Sequence, residues 1–248
     1  MSNTLDKILQ SLQAIEHMNL LITEQNLTES IRKLQTWQTH RLLVTHDDLW
    51  NSKRFKPAMQ FFVDELYGPK DFSQRDVEVA RAVPKMTKII PNKGLMSLQT
   101  ALRLNCLSLE LDIALAQKLG GEVINRNRYF DCYRQSSNQS QREEQIQLLE
   151  NLSIDLPKVV KIPGISVILM LSRKPAKVAG VESLHTFLEG GFNAFKKLGD
   201  VHDFIDPIIS REREMMHALF AAKDSTENPL PKVDSTSAEE SPFPYLPL

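Results

Sequence analysis

The chain has 248 residues, 42% of them hydrophobic and 25% charged, with 30 basic against 31 acidic side chains and a formal net charge of −1. That length supports a sizeable core, and the charge balance excludes a global field favouring nucleic acid or an anionic surface. Only 9 glycines and 7% aromatic residues argue against a turn-rich β protein.

Taken in chain order, the first six residues, Met1 to Asp6, show neither a basic segment nor an apolar one, so no secretory signal is expected. Leu5, Ile8, Leu9, Leu12, Ile15 and Leu20 recur at three- and four-residue intervals and predict an amphipathic helix. Ile31, Leu34, Trp37, Arg41 and Leu42 predict a second over 28–45, and Phe55, Ala58, Met59, Phe62 and Leu66 a third. Gly68 is suited to a left-handed turn past its end and Pro69 forbids continuation. Ser73 then reads as the N-cap of a new helix, with Phe72 and Val77 as a hydrophobic staple. Over 93–119, Leu95, Leu98, Leu102, Cys106, Leu109, Ile113, Ala116 and Leu119 fall along one line. Leu104, Leu107, Leu111, Ala114 and Leu115 form a second stripe, with Arg103, Glu110 and Asp112 squeezed between. A helix apolar on two faces is covered on both sides, so this one is expected at the centre of the fold, ended by Gly120-Gly121.

Tyr129–Arg134 and Gln141–Leu152 predict further helices, the latter opened by a capping box of Ser140 and Glu143. The apolar run Ile165–Leu171 is too short to span a membrane, lacks a partner strand and is read as a short buried helix. Val181–Leu198 and Val201–Ala222 predict a closing hairpin with Asp200 as a cap. From residue 223 onward, prolines, serines and acidic residues predict a disordered tail. The resulting expectation is all-α: a single-domain bundle of about 7–9 helices over residues 1–222, with a disordered tail over 223–248.

The stretch Phe61-Phe62-Val63-Asp64-Glu65-Leu66-Tyr67 resembles the signature of the bacterial FFLEELY-motif proteins, with Val63 and Asp64 as conservative departures. The resemblance extends from about Gln35 to Phe220, through His46-Asp47-Asp48-Leu49-Trp50, the run Leu107–Asp112 and the run Leu188–Gly199. It implies no activity.

The pairs Glu182/His185 and Glu214/His217 have the Glu-x-x-His spacing of a di-metal carboxylate site, which Glu65 and Glu110 would complete. Helical geometry counts against it, because Glu214 and His217 lie about 150° from the apolar face of the last helix. Cys106 falls on the apolar stripe and no histidine is placed to activate Cys132; two cysteines make neither a disulfide scaffold nor a metal site, and no cofactor or metal is expected. Gly190-Gly191 reads as a close helix contact. Lys158, Lys161, Arg173, Lys174 and Lys177 bracket the apolar run, as a solvated rim or as a site for phosphate, an acidic partner or a membrane surface. Tyr67, Asp71 and Arg75 converge at the motif corner, as a brace or as part of a ligand site. Glu212 sits mid-stripe in the last helix and must be neutralised or meet a cation, with Arg103 the first choice and Arg41 and Arg75 the others, unless it lines a pocket as an acid, base or ligand contact.

The reading that follows is a cytoplasmic protein with a non-catalytic binding or interaction role, partnered by another protein or by copies of itself. It has no transmembrane segment and no nucleic-acid partner. The alternative is a helical small-ligand binder or enzyme with a pocket beside the central helix.

Overall fold

The computed structural model describes residues 2–67, 75, 77–80, 82, 92–160 and 163–233. Among them there is no strand. The helices are α1 (Ser2–Glu24), α2 (Thr28–Thr45), α3 (Asp47–Asn51), α4 (Lys56–Phe62), α5 (Asn92–Leu119), α6 (Arg126–Gln135), α7 (Gln139–Val160), α8 (Ile165–Val178), α9 (Glu182–Phe195) and α10 (His202–Ala221). The fold is all-α and organised around α5. No helix is long and apolar enough to cross a membrane among the described residues.

Both stripes of α5 are buried, through Leu95, Leu102 and Cys106 on one and Leu107, Leu111 and Leu115 on the other, but its two halves, not its two stripes, serve different clusters. Leu95, Leu102 and Cys106 meet Ile8, Leu12, Ile15 and Met18 of α1 in one apolar cluster. Leu115, Ala116 and Leu119 join a larger cluster built from α2, α6, α9 and α10, and Leu109 and Ile113 pack against both. The helix stops where glycine permits it to stop, with Gly120 at φ +63 and Gly121 at φ +75.

α2 is unlike the others. Every residue from Trp37 to Leu43 is buried, polar Gln38, Thr39, His40 and Arg41 included. A helix enclosed all round must satisfy its polar side chains inside the protein.

The motif stretch begins as α4, with Pro57 in its first turn, and widens into a π-helical turn over Val63–Tyr67. Phe61 faces α9, its ring 5.4 Å from that of Phe187 and 5.8 Å, edge-on, from that of Phe195. Gly190 and Gly191 make this approach possible: a Cβ on Gly191 would lie 3.0 Å from Phe61 Cζ, and one on Gly190 3.5 Å from the ring. The close contact expected of the glycine pair is therefore with the first residue of the motif. The turn expected at Gly68, the cap at Ser73 and the staple residue Phe72 lie outside the described residues.

Three expectations need correction. The element at Ile165–Leu171 is a helix, but not a buried one: Val167 is 51% exposed, Ile168 60%, Met170 55% and Leu171 67%. Among the described residues α8 packs extensively on α9 alone, with the Leu169 carbonyl and the Ser172 hydroxyl on His185 and with Ala176 buried, so one helical face meets solvent. The capping box at Ser140 and Glu143 is not used, because α7 starts at Gln139 and Glu143 pairs across to α10. The ordered chain also continues past Ala222. A 3-10 turn at Ser225–Glu227 brings Leu230 into the main cluster, and Arg126 donates from Nε to the Leu230 carbonyl at 2.7 Å and from Nη2 to the Asn228 carbonyl at 2.5 Å. The start of the expected tail is thus docked against α6; residues 234–248 lie outside the described ones.

Candidate functional site

The buried polar side chains of α2 organise two connected clusters. In the first, Glu212 of α10 points at α2. Its Oε1 accepts hydrogen bonds from Arg41 Nη1 and, at 3.0 Å, from His46 Nε2. The Arg41 side chain is 6% exposed, Glu212 20% and His46 0%. His46 occupies the junction of α2 and α3, closing one helix and preceding the next. Its ring bridges two residues of α10, with Nε2 toward Glu212 and Nδ1 3.5 Å from Arg211 Nη1. Arg211 in turn donates to both oxygens of Asp48, at 2.7 and 2.9 Å. The result is a ladder of alternating charge, Arg41, Glu212, Arg211 and Asp48, that fastens α10 to the α2–α3 junction.

The electrostatics follow from these contacts. Burial pushes the Glu212 carboxyl up, but the Arg41 guanidinium and the hydrogen bonds from His46 and Arg41 outweigh it and bring the group down to about 2. Asp48 is held below the ordinary carboxylate range chiefly by its hydrogen bonds from Arg211, which is raised by the same contact.

The second cluster centres on Asp112 of α5. Its oxygens accept from Gln35 Nε2 at 3.1 Å and from Gln38 Nε2 at 3.3 Å, and Gln38 also lies 3.5 Å from Tyr129 Oη. Tyr129 stacks on Trp37 at 4.2 Å, and the Arg142 guanidinium lies 4.7 Å above the Tyr133 ring. Burial raises Asp112, only partly countered by Gln35, Arg142 and Gln38, and burial likewise raises Tyr129 and Tyr133.

The stretch from residue 19 to residue 226 matches the profile of a family described as a domain of unknown function, DUF8198. The chain belongs to that family. The DUF8198 match takes in α2 through α10 and with them both polar clusters, the π-helical turn and the glycine pair. No curated protein and no solved structure matches the chain.

The residues singled out from the sequence distribute as follows within the DUF8198 fold. Arg103 does not meet Glu212. It forks onto Glu144 of α7 at 2.9 and 3.1 Å, with Glu110 at 3.7 Å, because it lies on the flank of α5 that faces α7. Glu212 faces α2, and Arg41 takes it. Arg75 donates to the Glu65 carbonyl of the π-helical turn at 3.0 Å and sits 4.6 Å above the Phe187 ring. Tyr67 ends that turn, and Asp71 lies outside the described residues. Of the basic group, Arg173 pairs with Glu189 through Nε at 2.9 Å, Lys177 lies 3.6 Å from Glu182, Lys158 and Lys174 are exposed, and Lys161 lies outside the described residues.

Sequence reasoning passed over His46, Asp48, Arg211, Gln35 and Gln38. The signal was present for the glutamines, which share a helical face with Ile31, Leu34 and Leu42 and so interrupt an apolar stripe with amides.

Elsewhere, the described chemistry is inert or open. Burial pushes both the Cys106 and the Cys132 thiols up, the opposite of activation. An open cavity of about 500 Å3 lies between α7 and α10, one helix away from α5. Its ionisable groups engage one another or Glu143: His202 with Asp206 at 3.2 Å, His217 with Glu143 at 3.2 Å, and Arg213 with Glu143 and Glu150 at 2.9 and 2.8 Å. Ser210 donates to Glu214 at 2.8 Å, so its hydroxyl is directed at a carboxylate rather than at a histidine base. Among the described residues, no group of three or more His, Cys, Asp or Glu side chains is placed to hold a metal ion.

Proposed function

We propose that this DUF8198 protein is a cytoplasmic binding protein without a catalytic centre of its own, and that it binds through the outer face of α8. The observation that carries this reading is the exposure of Val167, Ile168, Met170 and Leu171, each more than half open to solvent on a helix that, among the described residues, packs extensively on one neighbour only. A contiguous apolar face on the surface of a folded protein marks a place where something docks. Its contrast with the interior supports the same conclusion. The buried carboxylates of Glu212 and Asp112 are met there by arginine, histidine or amide donors, whereas the apolar side chains of α8 are left open to solvent. The resemblance of Phe61–Tyr67 to the bacterial FFLEELY-motif proteins fits this reading, because that stretch seats α9, on which α8 rests.

The test is the double variant Ile168→Ser/Leu171→Ser, compared with the parent for binding of an environment-sensitive apolar dye and for thermal unfolding. A face held open for docking binds the dye in the native state and loses most of that signal in the variant, with the melting temperature unchanged. A variant that melts several degrees lower would show that the two side chains belong to the core, and would remove the basis of the proposal.

A further inference from the structure

We infer that the occupant of the α8 face is the surface of an anionic phospholipid bilayer. This rests on the reading of α8 as a docking face and names what docks. At 100° per residue, Val167, Leu171, Lys174 and Val178 fall within an arc of about 60° on the side opposite Ala176, with Met170 on one flank and Ile168 on the other. The exposed surface is therefore a convex ridge, apolar over its first turns and cationic toward its end. From Ile165 to Val178 it contains no acidic residue.

Lys174 decides between occupants. It sits on the ridge itself, level with Val167 and Val178, and among the described residues no carboxylate lies within ion-pair distance of it. A partner protein that buried the ridge would have to supply a carboxylate at that point or strand an ammonium group away from water. A second copy of this chain is poorly suited. In a two-fold antiparallel pairing centred on Leu171, Lys174 of each copy meets Ile168 of the other, and α8 has no acidic side chain to receive it. A bilayer imposes no such cost. The Lys174 stem lies along the apolar ridge while its ammonium reaches up to the phosphates, as long cationic side chains do at an interface. Lys177, whose pairing with Glu182 is exposed on both sides, adds to the same attraction. The net charge of −1 makes this attraction local to α8 and thereby orients the protein, with α9 and the bundle facing away from the lipid. Since no described helix is fit to span a bilayer, the association is peripheral.

The experiment is co-sedimentation of the full chain with unilamellar vesicles of phosphatidylcholine alone or with about one-third phosphatidylglycerol, at low and high salt. The expected result is binding to the anionic vesicles that falls about tenfold or more on neutral vesicles or in Lys174→Glu, and is lost in Ile168→Ser/Leu171→Ser. Circular dichroism of each variant confirms that the helices persist, and Lys174→Glu tests the idea even if the double variant misfolds. Failure of the parent chain to bind anionic vesicles overturns the inference, as does binding that neither substitution weakens. If the parent ignores vesicles yet associates with itself in a way that the double variant abolishes, the lipid assignment falls and the docking face stands. If it shows no vesicle binding, no self-association and no native dye binding, both fall.

Discussion

Replacing Glu212 by Gln isolates the charge of the ladder from its shape. The amide keeps a carbonyl oxygen for Arg41 Nη1 and His46 Nε2, so both hydrogen bonds have an acceptor, and what disappears is the negative charge beside a guanidinium that is 6% exposed. The magnitude follows from the carboxyl's displacement from 4.5 to about 2. At about 1.4 kcal/mol for each unit, that is about 3 kcal/mol of stabilisation by the ionised form. Removing one partner of a buried pair costs about 3–5 kcal/mol, and the 20% exposure of the Glu212 side chain places this case at the low end. For a domain of this size the loss corresponds to a melting temperature lower by about 6–12 °C at neutral pH.

The pH dependence supplies a sharper test. A carboxylate with a depressed folded-state value contributes stability that is complete above its unfolded value, here 4.5, and that disappears as pH falls toward about 2. Urea unfolding of the parent and Glu212→Gln should therefore differ by about 3 kcal/mol at pH 7 and converge as pH falls through that window. A difference below about 1 kcal/mol at pH 7, or one that stays constant on acidification, would refute the assignment of Glu212 as the ionised partner of Arg41.

Three other outcomes are expected. Gly191→Ala places a Cβ 3.0 Å from Phe61 Cζ and should lower stability by about 1–2 kcal/mol, whereas Gly190→Ala, with 3.5 Å of room, should be neutral or stabilising; paired thermal melts decide. Ending the chain after Ala222 should cost about 2–3 kcal/mol relative to ending it after Val233, because Leu230 is 3% exposed and Arg126 would lose both carbonyls, and equal melting temperatures would show that the docked segment contributes nothing. Cys106 and Cys132, buried and shifted away from the thiolate, should react with a thiol reagent at neutral pH only as fast as the protein opens, so prompt labelling of the native chain would contradict the packing around them.

Much of the fold was legible because it rests on periodicity. α2 was placed at 28–45 and observed at Thr28–Thr45, and α5 was placed at 93–119 and observed at Asn92–Leu119, since a residue period survives any tertiary arrangement. The exposure of α8 is not legible: Ile165–Leu171 has the composition of a core segment, and composition cannot report that among the described residues only α9 packs extensively on it. The partner of Glu212 was misread for a related reason. A helical wheel gives the angle of Arg103 on its own helix but not which helix that flank faces, and Arg41 and Arg103 are equivalent until α2 and α7 are placed around α5. His46 was hidden more deeply, because its position depends on the break between α2 and α3, where no wheel applies.

Two buried carboxylates displaced in opposite directions, Glu212 down and Asp112 up, are the arrangement that acid–base catalysis exploits. Both are met by side chains of α2, Glu212 by Arg41 and Asp112 by Gln35 and Gln38, and the cavity of about 500 Å3 is lined by neither. Each fixes the register of a different helix on α2, α10 through the ion pair and α5 through the amides. A slip of one turn would leave a charge or an amide unmet inside the core, a penalty that purely apolar packing would not impose. The other side of the molecule is held by shape. α9 is located by the ring of Phe61 against Gly190 and Gly191, and α8 is carried on α9. Loss of the Glu212 charge therefore weakens the whole fold while leaving the geometry of α8 alone, whereas a Cβ at Gly191 shifts the support on which the exposed ridge of α8 rests. The interior polar groups thus determine whether the domain stands, and the Phe61–glycine contact determines how the exposed face of α8 is presented.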